Sequence, residues 1–330
     1  MAKSTIYDVA KHAHVSSATV SRYLNQSSYV EREKVKAIEH AIFELNYQPL
    51  RKRQGQRSMT LGIIAPNFDS SFVSEFLTGI DKKSSNYNYR VLIETKNMSY
   101  QQEVKLLKSF KEQKLDGVII VVGVVPFDVV KSILSDIPAL FVCRERNSFY
   151  PVIGSDNTIG GMIATNHLIQ LGHKKIIHLF GNEANFDSLG RKQGYLKSMQ
   201  DAGLKVTDNM LLNGDFSLDG GFNAINSLLQ SQIDFTAIFA GNDLSAFGAI
   251  RALHEKGYRV PEDISVIGFD DHPMCRFTIP QLTTIKQPLV EIGEQAFEAI
   301  LDIISDNYNG AKIKPFAILP RESTCQYSSS

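Results

Sequence analysis

The chain has 330 residues, 43% of them hydrophobic and 21% charged, a globular composition long enough for two or three compact units. Its first residues, MAKSTIYDVAKHA, hold no apolar core of the signal-peptide kind, and no later run approaches the roughly 18 uncharged residues of a membrane span; this argues against secretion and membrane insertion and predicts a cytoplasmic protein. Net charge is zero, yet the first 58 residues hold ten basic and five acidic side chains, leaving 25 and 30 for the rest, so a polyanionic partner is expected for the N-terminal part.

In chain order, Ile6, Val9, Ala10 and Ala13 recur at helical spacing behind Ser4 or Thr5 as cap, which predicts a short helix over 6–13. Ser16 is a good N-cap for a second helix over 17–24, with Ala18, Val20 (or Thr19) and Leu24 as its apolar face and Ser17, Ser21 and Arg22 free to point outward. A third amphipathic helix fits 31–46, with Val35, Ile38, Ile42 and Leu45 on one stripe. Only two or three residues separate the first two helices, which demands a tight bend. A helix-turn-helix whose second helix exposes small polar residues and an arginine suits the major groove, because short side chains let the helix sit close to the bases. A basic linker over 50–58, within "LRKRQGQRSMT", follows, with Gly55 where a helix would want continuity.

From Met59 onward, short apolar runs alternate with helical patterns: "TLGIIAP", "RVLIETK", "GVIIVVG", "ALFVC", "KIIHLFG", "TAIFAGN" and "ISVIGFDD". Such alternation implies parallel sheets wrapped by helices, and this many units suit two doubly wound lobes. Sites in such sheets lie beyond the carboxyl ends of the strands. Polar residues gather there: Asn67 and Asp69, Cys143 and Arg144, Asn242 and Asp243, Asp270 and Asp271. There is no GxGxxG after a strand, no GxxxxGK[ST], no GxSxG and no HExxH. Eight histidines occur without a pair at metal-ligand spacing beside a carboxylate, so no metal is expected, and His173, His178 and His254 read as capping or packing residues. Cys143, Cys275 and Cys325 lack CxxC spacing and read as buried or incidental thiols. A cleft without a catalytic set points to a binding module with no cofactor, not an enzyme.

"TIYDVAKHAHVSSATVSRYLN" followed by "VEREKVKAIEHAIFELNYQP" closely resembles the DNA-binding headpiece of the LacI/GalR family of bacterial repressors. The resemblance implies that Ser16, Ser17, Ala18, Ser21, Arg22 and Asn25 face DNA, with Thr5, Tyr7, Thr19 and Tyr29 at phosphates. Two departures stand out. His14 occupies the turn position where the family has glycine, and histidine tolerates a left-handed backbone better than most residues. The linker lacks the leucine that wedges into the minor groove, so Arg51, Lys52, Arg53 and Arg57 should act electrostatically instead of through a hinge helix.

The same resemblance runs on through "SDNTIGGMIATNHLIQLGHKKIIHLFG", "RKQGYLKSM", "AIFAGNDLSAFGAIRALHEKGYRVPEDISVIGFDD" and "PQLTTIKQPLVEIGEQA". It implies a headpiece over 1–49 and, over 59–330, a two-lobed doubly wound parallel α/β body of the periplasmic sugar-binding-protein type. Three crossing strands near 157, 287 and 318 would make each lobe discontinuous. Carried over by motif, the effector-binding set is Phe72, Arg191, Phe216, Asn242 and Asp270, with Gln287 at the second crossing and Cys143 and Arg144 after "PALFV". Guanidinium, amide and carboxylate groups pair with neighbouring hydroxyls, and a phenyl ring covers the apolar face of a sugar. Arg191 and Asp270 could instead form a salt bridge across the cleft. Cys143 stands where many relatives have aspartate, so the ligand could be less hydroxyl-rich or more anionic than a plain hexose, unless Arg144 caps a helix or pairs with Glu145.

These readings lead to a homodimeric, ligand-responsive regulator of operator double-stranded DNA. The expected case is repression of a carbohydrate uptake or catabolic operon, released by a sugar inducer; a purine or nucleoside corepressor is the second. A solute-binding protein or an enzyme is the alternative from another class, the first needing an export signal and the second a catalytic set.

Overall fold

The computed structural model describes residues 5–25, 29–45, 57–67, 71–97, 99–183, 185–231 and 233–328. It divides into two compact units, Met1–Arg57 and Ser58–Ser330.

The first unit holds α1 (Ile6–His12), α2 (Ser17–Asn25) and α3 (Arg32–Glu44). A capping box starts α1: the Thr5 hydroxyl accepts the Asp8 N–H, and the Asp8 carboxylate accepts the Thr5 N–H. The Ser16 hydroxyl accepts the Thr19 N–H at 3.1 Å and so caps α2. Between these helices His14 takes φ 51°, the left-handed conformation that the tight bend requires. Val9, Ala10, Ala13, Val20, Ile38 and Ala41 close a small core among the three helices.

The second unit has two lobes. In the first lobe, β1 (Thr60–Ala65), β2 (Arg90–Thr95), β3 (Gly117–Val121), β4 (Ala139–Val142) and β5 (Val152–Ile153) form a parallel sheet in the order β2-β1-β3-β4-β5. Alternation along each strand divides its side chains between two layers. Leu61, Ile63, Ile119 and Leu140 pack under α4 (Ser71–Ser84) and α11 (Leu289–Ile304), whereas Ile64, Ile120 and Phe141 pack under α5 (Tyr100–Glu112) and α6 (Phe127–Leu134).

The second lobe has β6 (Ile176–Phe180), β7 (Leu211–Asn213), β8 (Ala237–Ala240), β9 (Ser265–Asp270), β10 (Thr283–Lys286) and β11 (Ala317–Leu319), ordered β11-β10-β9-β8-β6-β7. Among the described residues of this sheet, the β10–β11 pairing alone is antiparallel. The sheet is wrapped by α7 (Asn157–Gln170), α8 (Phe186–Asp201), α9 (Leu218–Gln230) and α10 (Asp243–Glu255). Glycines let α7 and α8 touch backbone to backbone: a Cβ on Gly161 would lie 2.3 Å from the Arg191 carbonyl, and one on Gly194 2.2 Å from that of Thr158. This contact sets the start of α7 beside the middle of α8.

The chain passes between lobes three times. It crosses at 154–156, at 287–288, and between Ile313, which packs in the first lobe, and Phe316, which packs in the second. Each lobe is therefore discontinuous, as the resemblance implied. Residues 157 and 318 themselves belong to α7 and β11; the crossings are the segments before them. Among the described residues, no helix is long and apolar enough to cross a membrane. All three cysteines are free thiols, two of them buried.

Candidate functional site

On the first unit, α2 buries Val20 and turns Ala18 and Arg22 to solvent, with Ser17, Thr19 and Ser21 half-exposed beside them. Tyr23, also on α2, is anchored inward by donating to Glu39 of α3 at 2.8 Å, which fixes how far α2 is rotated about its axis. Ser16 and Thr19 bond to each other through their hydroxyls at 2.8 Å. Arg22 forms no ion pair among the described residues, and Tyr7 and Tyr29 are 72% and 89% exposed, so three long side chains with donor groups stand in solvent. Thr5 is exposed as well, although its hydroxyl donates to Asp8. Asn25 closes α2, and its side chain lies outside the described residues, as do Arg51, Lys52 and Arg53.

In the second unit the polar residues meet at the carboxyl ends of the strands, where a doubly wound sheet leaves a crevice. Arg191, from α8, is the centre. Its Nε donates to Asn157 Oδ1 at 2.8 Å, its Nη1 to the Gly241 carbonyl at 2.5 Å, and its Nη2 lies 3.4 Å from Asp270 Oδ1. The guanidinium lies over the Phe269 ring at 3.8 Å from the centroid and 5.4 Å from that of Phe216. Gln287, at the second crossing, donates to Asp270 at 2.6 Å, and its own Oε1 is buried with no partner among the described residues. Asn242 caps α10 through its Oδ1 and donates to the Phe216 carbonyl at 2.9 Å.

The first lobe reaches this network through Cys143. Its thiol faces Asp187, which accepts from Asn157 at 2.7 Å. Cys143, Asp187, Asn157, Arg191, Asp270 and Gln287 thus form one buried chain of contacts from the end of β4 to the end of β10. Burial pushes the Cys143 thiol well up, so it stays protonated.

Several sequence expectations change here. Arg191 and Asp270 do form an ion pair, but both belong to the second lobe, so it does not span the cleft. Arg144 is not brought to Arg191: its Nη1 donates to the Val125 carbonyl at 2.7 Å, its Nε bonds Glu145, and its guanidinium lies 4.3 Å from the Phe127 centroid. Phe141 and Phe127 lie in the layer under α5 and α6, which draws Arg144 to that side of the sheet. Phe72 is buried in the apolar layer that also holds Cys143. Asp69 lies outside the described residues. Asn157, Asp187 and Phe269 were missed: the first two sit in first turns of helices where they read as caps, and Phe269 is one apolar residue in an apolar strand.

Backbone strain marks the same rim. Val122, Cys143, Phe216, Asp270 and Asp271 hold φ of 49°, 54°, 53°, 108° and 63°, all at or just after strand ends. Left-handed β-branched and aromatic residues cost energy and cluster at ligand clamps. Val122 is held by a fully buried ion pair. Lys96 Nζ donates to the Val122 carbonyl at 2.6 Å and lies 3.2 Å from Glu103, whose carboxylate accepts the Val124 and Val125 N–H groups.

Burial pushes the Asp243 carboxyl up to about 7 and that of Asp187 up to about 6. A carboxyl whose value is higher in the folded state than its ordinary value of about 3.9 makes the folded state bind more protons. Its contribution is complete at low pH and is lost as pH rises through the folded value, at most about 1.4 kcal/mol per pH unit for each group. Buried His178, pushed down to about 3, slopes the other way below its ordinary range, so the informative quantity is a difference. The stability of the wild type relative to Asp243→Asn, measured by urea unfolding, is expected to be greater at about pH 5 than at about pH 8. An unchanged difference would show that Asp243 is ionised throughout.

Fold and site together define the class: a helix-turn-helix unit joined to a two-lobed small-molecule-binding unit. Residues 5–49 match the family described as "Bacterial regulatory proteins, lacI family", and residues 165–324 match "Periplasmic binding protein-like domain". The chain is 33% identical to the ribose operon repressor of Halalkalibacterium halodurans, over 88% of this chain and 87% of that one. It is 34% identical to the NTD biosynthesis operon regulator NtdR of Bacillus subtilis (97% and 99%) and 33% to the repressor PurR of Haemophilus influenzae (94% of each). Among solved structures, the lac repressor dimer bound to operator and the anti-inducer ONPF superposes with a TM-score of 0.75 at 28% identity, over 98% of this chain and all of that one. A regulator from Enterococcus faecium with bound ribose gives 0.74 at 28% identity, over 82% and 100%. The chain belongs to the lacI family of bacterial regulatory proteins.

Proposed function

We propose that this chain is a sequence-specific DNA-binding transcriptional repressor that is released from a carbohydrate uptake or catabolic operon by a sugar-type inducer held between its lobes. The observation that carries the reading is the presence in one chain of an exposed, small-residue recognition helix and a buried Arg191–Asp270–Asn157 network at the strand ends. On α2, Ser16, Ser17, Ala18, Ser21, Arg22 and Asn25 read base edges, while Thr5, Tyr7, Thr19 and Tyr29 contact phosphates, with Arg51 and Arg53 adding charge in the linker. The protein acts in the cytoplasm as a homodimer, two headpieces occupying the halves of a near-palindromic operator. It is a regulator and not an enzyme.

In the cleft, Arg191, Asn242, Asp270 and Gln287 exchange their present partners for ligand hydroxyls, and Phe216 covers the ring face. The energy of the switch is the difference between ligand affinities for the two lobe arrangements. The relative named for the ribose operon and the ribose-bound structure support a sugar. The PurR relatives support a second reading, a purine corepressor.

A thermal-shift screen against sugars, sugar phosphates and nucleobases tests both. A ligand that binds only the folded state stabilises it by about 2.7 kcal/mol at a hundred times its Kd. A sugar that raises Tm and lowers operator affinity is the expected result. A purine that raises both supports corepression and overturns induction by sugar.

A further inference from the structure

Three side chains from two helices, α1 and α3, meet on the surface of the helix-turn-helix unit. His40 and Glu44 stand one turn apart on α3, and the last turn of α1 brings His12 to them because Val9, Ala10 and Ala13 pack in one core with Ile38 and Ala41. His12 Nε2 lies 2.9 Å from Glu44 Oε2, and His40 Nε2 lies 3.7 Å from Glu44 Oε1. One ligand atom from each residue falls within 4.8 Å of the other two, and among the described residues no other group of three such side chains does so. The sequence hid this cluster, since His12 and His40 share no short spacing.

We propose that His12, His40 and Glu44 form a binding site for a divalent first-row transition-metal ion of the Zn2+ type, which clamps α1 to α3. Two imidazoles and one carboxylate are a donor set such ions prefer, and an open position remains for water. Bonds of about 2.0–2.1 Å in a tetrahedral site put ligand atoms about 3.3 Å apart, between the two separations seen here. All three side chains are exposed, so an ion has a direct path and the rotamers are free to draw the ligand atoms, now within 4.8 Å of one another, to that separation. The ion takes the place of the hydrogen bond between His12 Nε2 and Glu44 Oε2. An ion held only by the folded unit stabilises the packing that orients α2, since α2 shares the core of α1 and α3.

The test is calorimetric titration of the chelator-treated full-length protein with ZnCl2 at about pH 7.5, with thermal unfolding followed in parallel. One ion per chain is expected, with affinity reduced on the order of tenfold or more by either His12→Gln or His40→Gln and unchanged by His254→Gln, an exposed histidine elsewhere. Circular dichroism checks that the variants remain folded, which their exposure favours. Absence of saturable binding, or binding that survives the His12→Gln/His40→Gln double substitution, overturns the proposal. Neither readout depends on operator or effector.

Discussion

Replacing Arg191 by alanine is expected to destabilise the two-lobed unit by about 3–5 kcal/mol and to remove effector binding, because the substitution leaves a buried carboxylate without its cation. Arg191 is only 3% exposed and joins three groups at once: Asn157, the Gly241 carbonyl and Asp270. Among the described residues Asp270 would keep the amide of Gln287 as its side-chain hydrogen-bond donor, and burial already pushes its carboxyl up. The measurement is urea unfolding of the full chain for Arg191→Ala, Asp270→Asn and the double variant. If the pair acts as a unit, the double variant loses much less than the sum of the singles. Additive losses, or a loss in Arg191→Ala below about 1 kcal/mol, would show that Arg191 and Asp270 do not act as a buried pair.

The second large effect is on DNA. Arg22→Ala is expected to weaken specific operator binding by about 1–3 kcal/mol, roughly 5- to 150-fold, the range for a bidentate arginine contact to guanine. Stability should not change, since Arg22 is exposed and forms no ion pair among the described residues. Fluorescence anisotropy with operator and scrambled duplexes at one fixed salt concentration separates the outcomes. A loss confined to the operator supports base reading. An equal loss on both duplexes assigns Arg22 to phosphate, and no loss on either would falsify the assignment of the α2 face. Ligand affinity in the cleft should be the same in either case.

Much of the fold could be read in the chain because its signals are local. The Thr5 and Ser16 caps, the apolar spacing of α1 to α3 and the apolar runs of seven strands each lie within a few residues of the element they announce. His14 could be assigned its left-handed turn for the same reason, and φ 51° matches. The strands that the apolar runs did not announce are short or lie toward sheet edges: β5 and β7 at the edges, β11 at another, and β10, whose Thr283-Thr284-Ile285-Lys286 is half polar.

Local signals in the chain were enough to read a basic helical headpiece, two doubly wound lobes and the residue types at the strand ends. Which of those residues meet depends on how the elements pack. Arg144 and Cys143 are neighbours in the chain, yet Arg144 lies on Phe127 while Cys143 packs in the opposite layer beside Val142, because the chain leaves β4 through a left-handed Cys143 at φ 54° and strand alternation stops there. Likewise Asn157 and Arg191 touch only because Gly161 and Gly194 let α7 and α8 close together, and His12 finds His40 only through the core beneath them. Spacing along a chain governs contacts within a helix or strand, whereas contacts between elements depend on how their buried faces pack.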